Sequence, residues 1–220
     1  MLTGAWPAAV LWDLDGTIVD TEPLWMAAEQ HLAVLLGGVW TEQDALALIG
    51  SDLLDAGEHL RRHFQTDLTA AEIVEILIER VGLGLRDGMP WRPGAQDLFE
   101  AFAADGVPQA LVTMSYAVLA APVVEQLDFA AVVTGDSVTR GKPHPEPYLA
   151  AARQLGVDPA DCLAIEDSAT GAASAGAAGC RVLTVPHMVR VPAGPRRVQV
   201  ATLRGLDPQS VRALWETDAP

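Results

Sequence analysis

The amino-acid sequence predicts an α/β fold: a doubly wound parallel sheet, flanked by helices, that is interrupted early by a block of helices. From residue 87 onward, short apolar runs alternate with helical patterns, as in successive βαβ units. Between residues 22 and 85 the apolar spacing is helical, and no strand pattern occurs. We therefore expect an α/β core domain at 1–19 and 87–220, with a helical domain inserted at 20–86.

The individual elements follow from local patterns. The first strand is expected in the apolar run 8–12. The inserted block is expected to hold helices at 22–37, 42–49, 52–64 and 69–81, and Thr69 with Glu72 forms a capping box for the last of them. The core is then expected to continue with helices at 95–104, 117–127, 146–155 and 169–178 and strands at 108–114, 130–134, 162–165 and 181–185. The chain after Pro186 has no clear pattern, and 192–197 is expected to be a loop.

Composition limits the classes of function. Half of the 220 residues are hydrophobic, which suffices for one domain with an insertion. The formal net charge of −15 argues against nucleic acid or an anionic membrane as a partner. No stretch is long and apolar enough to cross a bilayer, and the first strand lacks the features of a signal peptide. We expect a cytoplasmic monomer whose two cysteines are reduced and buried.

Two carboxylates follow the first strand, at Asp13 and Asp15, and Gly16 comes directly after them. Residues two apart in a strand point to the same side, so both carboxylates are expected to share one small site. Such a pair repels unless a cation or a proton is shared, which favours a divalent metal and phosphoryl chemistry. The ordinary alternative is a turn, in which Asp-Gly is common.

Polar residues also follow later strands. Thr113 ends the second predicted strand, Lys142 stands between glycine and proline, and Glu166 with Asp167 ends the strand at 162–165. Each has a simpler explanation: a threonine cap, a surface lysine, or acids at a helix start. However, ligands of parallel sheets bind beyond the carboxyl ends of the strands, and all of these residues are expected there. Their combination favours a functional site.

These segments together resemble the haloacid dehalogenase superfamily of aspartate-nucleophile phosphatases. Its four motifs correspond, in order, to Asp13-Leu14-Asp15-Gly16-Thr17, Thr113, Lys142 and Glu166-Asp167. The segments 20–24 (DTEPL) and 141–148 (GKPHPEPY) resemble the subfamily that contains β-phosphoglucomutase and small sugar-phosphate phosphatases. The resemblance implies a Rossmann-like core, in which the first and fourth motif strands are neighbours, and a helical cap. One departure is Met114, because relatives often carry asparagine there.

The resemblance also implies the role of each residue. Asp13 is expected to be the nucleophile and Asp15 the acid–base, while Thr113 and Lys142 hold the phosphoryl oxygens. A magnesium ion is expected to bind the carboxylates of Asp13 and Asp167 and the backbone carbonyl of Asp15. Glu166 is expected to hold a metal-bound water. Further substrate contacts are expected at Gly16, Thr17, Met114, Ser115 and Glu22.

The implied function is a magnesium-dependent phosphatase that hydrolyses a small phosphorylated metabolite, such as a sugar phosphate, through an aspartyl-phosphate. The alternatives are a phosphosugar mutase of the β-phosphoglucomutase type and a catalytically silent binding protein on the same fold. Mutases of this subfamily typically carry valine at the position of Thr17, so Thr17 favours hydrolysis.

Overall fold

A computed structural model describes residues 7–48 and 51–216 of the chain. The backbone divides into two compact units. The first comprises Met1–Asp20 and Trp91–Pro220, and the second comprises Thr21–Pro90. Within the described residues, no helix combines the length and the apolar character that crossing a membrane requires.

The first unit is built on a six-stranded parallel sheet. Its strands are β1 Ala9–Trp12, β2 Gln109–Val112, β3 Ala131–Val133, β4 Cys162–Glu166, β5 Arg181–Thr184 and β6 Arg197–Gln199. Their spatial order is β3-β2-β1-β4-β5-β6, so β1 is central and pairs with both β2 and β4. The order reverses direction at β1, as expected for a doubly wound sheet, and ligands of such sheets bind at that point. The predicted fold class is confirmed.

The described residues of the second unit form the helices α1 Glu22–Leu35, α2 Glu42–Leu46, α3 Leu53–Phe64 and α4 Ala70–Asp87. The capping box of α4 is confirmed, since Glu72 accepts the Thr69 backbone N–H at 2.7 Å. The predicted end of α4 at residue 81 is wrong, because the helix continues through Gly84. A Cβ atom on Gly84 would lie 2.7 Å from the Leu24 side chain, so this glycine lets α1 and α4 approach closely. The predicted end of the second helix, Ile49, lies outside the described residues.

Five further helices belong to the first unit: α5 Ala95–Ala104, α6 Ala117–Val124, α7 Glu146–Leu155, α8 Ala169–Ala177 and α9 Pro208–Glu216. All four residues of β1 are fully buried, as expected for a central parallel strand. Small buried residues on α7 and α8, among them Ala151, Ala172 and Ala175, pack in the same core as the sheet. Such residues let a helix backbone lie close to the strands.

The chain after Pro186 is more regular than the sequence predicts. β6 pairs with β5, and α9 follows it. A side chain adds to the backbone pairing of this edge strand: Arg197 donates to the carbonyl of Ala172 at 2.9 Å and to that of Pro192 at 2.6 Å. The three residues of β6 are too few to show a clear alternation of hydrophobicity, so a search for that pattern does not find this strand.

Glu29 on α1 is an acid in an apolar setting. Its side chain accepts the Trp40 indole N–H at 2.8 Å, and the residue is 6% exposed. Burial raises the pKa of Glu29 to about 7 from 4.5, although the hydrogen bond from Trp40 opposes the shift. A raised carboxyl pKa means that the folded state binds the proton more tightly than the unfolded state. The stability contributed by this proton is therefore present below pH 4.5 and is lost as the pH rises through about 7.

We predict that Glu29→Gln stabilises the protein at pH 8 and has little effect at pH 4.5. The amide keeps an acceptor for Trp40 without a buried charge. The gain at pH 8 is at most about 3 kcal/mol, given ~1.36 kcal/mol per pKa unit. Urea unfolding at both pH values measures it, with Glu75→Gln, an exposed position on α4, as the control. An equal effect of Glu29→Gln at the two pH values would contradict the prediction.

Candidate active site

The sheet brings three of the predicted motifs to one edge. β1 and β4 are in register, with Trp12 beside Ile165, so Asp13 and Glu166 follow side by side at the carboxyl ends of these strands. The backbone N–H of Asp13 donates to the Ile165 carbonyl at 3.0 Å and continues the ladder. On the other side of β1, β2 ends at Val112 and places Thr113 at the same edge. The predicted pairing of the first and fourth motif strands is confirmed.

The loop after β1 turns back on itself at Gly16. Its φ is +82°, a conformation that favours glycine, and its N–H donates to the Val19 carbonyl at 2.7 Å. A Cβ atom at Gly16 would overlap the Asp167 carboxylate. The position therefore requires glycine for two reasons, the backbone conformation and the close approach of Asp167.

Lys142 is buried at the centre of this edge. Its ammonium group donates to Asp13 Oδ1 at 2.7 Å, to Glu166 Oε1 at 2.6 Å and to the Val112 carbonyl at 2.9 Å. These bonds use all three N–H groups. Burial alone would lower the pKa of Lys142, but the charges of Asp13 and Glu166 outweigh it and the pKa is raised. The lysine is therefore a fixed positive charge beside the Asp13 carboxylate.

The acids around Lys142 outnumber it. Burial, together with the charge of Glu166, raises the pKa of both Asp13 and Asp167 above the usual range of a carboxyl group. Asp13, Glu166 and Asp167 each place a carboxylate oxygen within 4.8 Å of the others. A group of buried carboxylate oxygens that one lysine does not fully compensate fits a small hard cation, and magnesium prefers oxygen ligands.

Glu166 is held from three sides. Its Oε1 accepts from Lys142 and from the Tyr148 hydroxyl at 2.5 Å, and its Oε2 accepts from Ser168 at 3.1 Å. A Cβ atom at Gly171 would overlap this carboxylate, so α8 begins close against it. Tyr148 was not among the predicted site residues. It lies on the buried face of α7, where an aromatic side chain looks like an ordinary core residue.

The Asp15 side chain is hydrogen-bonded to residues that follow β2. Its Oδ2 accepts from the Ser115 hydroxyl at 2.7 Å and from the Thr113 hydroxyl at 3.2 Å. The backbone N–H of Ser115 in turn donates to Thr113 Oγ1 at 2.9 Å. Because β1 and β2 are neighbours, a carboxylate from one strand end thus meets two hydroxyls from the other.

The other predicted substrate contacts are placed differently. Thr17 is fully buried, and its hydroxyl has no hydrogen-bond partner among the described residues. The Met114 sulfur accepts the backbone N–H of Lys142 at 3.2 Å, so this side chain supports the lysine loop. Glu22 is the first residue of α1, in the second unit, and its contact with substrate stays a prediction.

Comparisons with known proteins identify the family. The family model of haloacid dehalogenase-like hydrolases matches residues 7–179. Hexitol phosphatase B of Escherichia coli (strain K12) is 31% identical over 192 residues, which cover 81% of this chain and 83% of that protein. The bifunctional riboflavin kinase/FMN phosphatase of Arabidopsis thaliana is 29% identical over 82% of this chain. The chain spans only about half of that protein, 49% of its length.

A solved structure extends the similarity to the fold. The crystal structure of CbbY from Rhodobacter sphaeroides in complex with phosphate superimposes with a TM-score of 0.81 at 26% identity. The match covers 90% of this chain and 95% of that one. With the family match over most of its length, the chain belongs to the haloacid dehalogenase-like hydrolases.

Proposed function

We propose that this protein is a magnesium-dependent phosphatase that hydrolyses a small phosphorylated metabolite, of the sugar-phosphate class, through an aspartyl-phosphate on Asp13. The observation that carries the proposal is the 2.7 Å contact between the Asp13 carboxylate and the buried Lys142 ammonium group, at the edge where parallel sheets bind ligands. A hexitol phosphatase among the relatives and the phosphate bound in the CbbY structure support the substrate class.

In the first step, Asp13 attacks the phosphorus atom of the bound ester. A bond forms between Asp13 and phosphorus, while the bond to the leaving alcohol breaks with its electron pair on oxygen. Asp15 donates a proton to that oxygen. Lys142 and Thr113 hold the phosphoryl oxygens and balance their charge, which is most of what phosphoryl transfer requires of a protein.

In the second step, water attacks the phosphorus of the aspartyl-phosphate. Asp15, now a carboxylate, takes the proton of the water, and the bond from phosphorus to Asp13 breaks. Inorganic phosphate is released and the Asp13 carboxylate is restored. The same residue thus serves as acid and then as base.

The acid cluster gives a role to magnesium. We propose that Asp13, Asp167 and the backbone carbonyl of Asp15 hold the ion, and that Glu166 assists through a water molecule. The bound ion would neutralise charge on the phosphoryl group and on these acids. Local positive charge matters here because the chain carries a net charge of −15, which repels a phosphorylated substrate at long range.

We further propose that the helical insertion, residues 20–86, is a cap that excludes water in the first step and selects the leaving group. It is inserted directly after the loop that carries Asp13 and Asp15, so it is well placed in the chain to respond to substrate. We expect the protein to act as a monomer in the cytoplasm.

We predict that phosphate release requires a divalent ion. Purified protein is tested with and without magnesium on a panel of sugar phosphates, hexitol phosphates, phosphoglycolate and 4-nitrophenyl phosphate. Magnesium is expected to support turnover, while chelation with EDTA abolishes it and calcium does not restore it, because calcium adopts larger and less regular coordination. Undiminished turnover after thorough chelation would contradict the proposed metal requirement. Absence of phosphate release from every ester would contradict the proposed phosphatase activity.

We predict that Asp13→Asn lowers kcat by at least about 1,000-fold, because an amide cannot serve as the nucleophile. Asp128→Asn, at an exposed position before β3, is the matched control and should keep the wild-type rate. Both variants are compared by phosphate release at saturating magnesium. A large residual rate in Asp13→Asn would show that another group attacks phosphorus.

We predict that the phosphoryl group passes to water rather than to a second sugar phosphate. The enzyme is given a labelled phosphoryl donor in a single turnover, with glucose 1-phosphate present as a trap. Label is expected mainly in inorganic phosphate. Label found mainly in a bisphosphorylated sugar would contradict the phosphatase function and favour the mutase alternative.

A further inference from the structure

Ser115 is fixed in place by three hydrogen bonds. Its N–H donates to Thr113 Oγ1 at 2.9 Å, and its carbonyl accepts the N–H of Gly135 at 3.0 Å. Its hydroxyl donates to Asp15 Oδ2 at 2.7 Å, and the residue is 7% exposed. The site therefore holds this side chain without help from a ligand.

The neighbouring loop makes the position of Ser115 rigid. Gly135 follows β3, and a Cβ atom there would overlap the backbone carbonyl of Met114. The two backbones can lie this close only because Gly135 has no side chain. Since β2 and β3 are paired neighbours in the sheet, the Ser115 loop is anchored on a strand that does not itself contribute a proposed catalytic residue.

Ser115 and Thr113 differ in which acceptor their hydroxyl proton can serve during the reaction. A hydroxyl has a single proton to donate. In this structure Thr113 directs its hydroxyl to Asp15 at 3.2 Å, but in the proposed reaction it must donate to a phosphoryl oxygen. When Thr113 turns to the phosphoryl group, Ser115 is the hydroxyl of the two that still holds Asp15. Its bond to Asp15 is also the shorter of the two, at 2.7 Å against 3.2 Å.

We propose that Ser115 is a positioning residue that keeps Asp15 oriented for proton exchange with the leaving group. This inference rests on the proposed function. It differs from the expectation that Ser115 contacts the substrate, because the hydroxyl acts on Asp15 instead. A carboxyl group oriented in advance avoids the cost of ordering it during the reaction.

A residue that acts through Asp15 matters only for esters whose leaving group needs a proton. 4-Nitrophenolate leaves as a stable anion and gains little from protonation, whereas phenolate leaves poorly without it. The two esters, 4-nitrophenyl phosphate and phenyl phosphate, differ only in the nitro group, so the loss in the variant is compared with wild-type protein on each ester separately, which removes their difference in binding. The ratio kcat/KM covers only the steps up to phosphorylation of Asp13, and so leaves out the later attack of water.

The test is kcat/KM of Ser115→Ala on both esters, with magnesium. General acid catalysis contributes about 10²- to 10⁴-fold, so partial loss of it should lower the value for phenyl phosphate by about 10- to 100-fold. The value for 4-nitrophenyl phosphate should fall by less than about 3-fold. Losses of equal size on the two esters would overturn the proposal.

Three further variants sharpen the test. Thr113→Val should lower kcat/KM on both esters, because it removes a phosphoryl contact. Ser137→Ala should change neither, because this hydroxyl bonds to Thr134 within the turn after β3. In an Asp15→Ala background, Ser115→Ala should cause no further loss on phenyl phosphate, since a residue that acts through Asp15 has nothing left to orient.

Additive losses in the double variant would overturn the positioning role even if the single variant behaved as expected. Failure of the proposed function would look different. In that case wild-type protein would release phosphate from neither ester, or Asp13→Asn would retain the wild-type rate, and the inference would fall with it.

Discussion

The site depends on a buried ammonium group, Lys142 Nζ, held between the carboxylates of Asp13 and Glu166 at 2.7 and 2.6 Å. Burying several carboxylates at one sheet edge is costly unless positive charge compensates them. The central position of β1 brings these groups together, and Tyr148 and Ser168 complete the hydrogen bonding of Glu166. This charge balance, built into the fold, is what would let the edge hold Asp13 in the proposed role of nucleophile.

The balance of charge between Lys142 and the surrounding acids is incomplete. One lysine compensates the three clustered acids Asp13, Glu166 and Asp167, and burial raises the pKa of both Asp13 and Asp167. The remaining demand for positive charge agrees with the proposed divalent ion, and Lys142 is the charge proposed to contact the phosphoryl oxygens of the substrate. Glycines make the arrangement compact: Gly16 and Gly171 each stand where a Cβ atom would overlap a site carboxylate.

Much of this could be predicted from the sequence because it depends on local pattern. Alternating strands and helices predict the parallel sheet, and residues directly after strands, such as Asp13 and Thr113, must lie at its carboxyl edge. The choice of side-chain partners could not be predicted, because it depends on contacts between distant segments. The bonds of Ser115 to Asp15 and of Tyr148 to Glu166 are of this kind. β6 was missed for a related reason: its three residues are too few to carry a clear alternating pattern, and the bond from Arg197 to Ala172 that helps to hold it reaches a distant segment.

The central claim is that Asp13 becomes covalently phosphorylated. Enzyme quenched during turnover of 4-nitrophenyl phosphate and reduced with borohydride would convert an aspartyl-phosphate to homoserine, with loss of phosphate and two hydride equivalents added to the acyl carbon. Peptide mapping by mass spectrometry then locates the modified residue. We expect homoserine at position 13 in protein quenched with substrate and none without it. Homoserine at another acid, or phosphate release with Asp13 never modified, would contradict it.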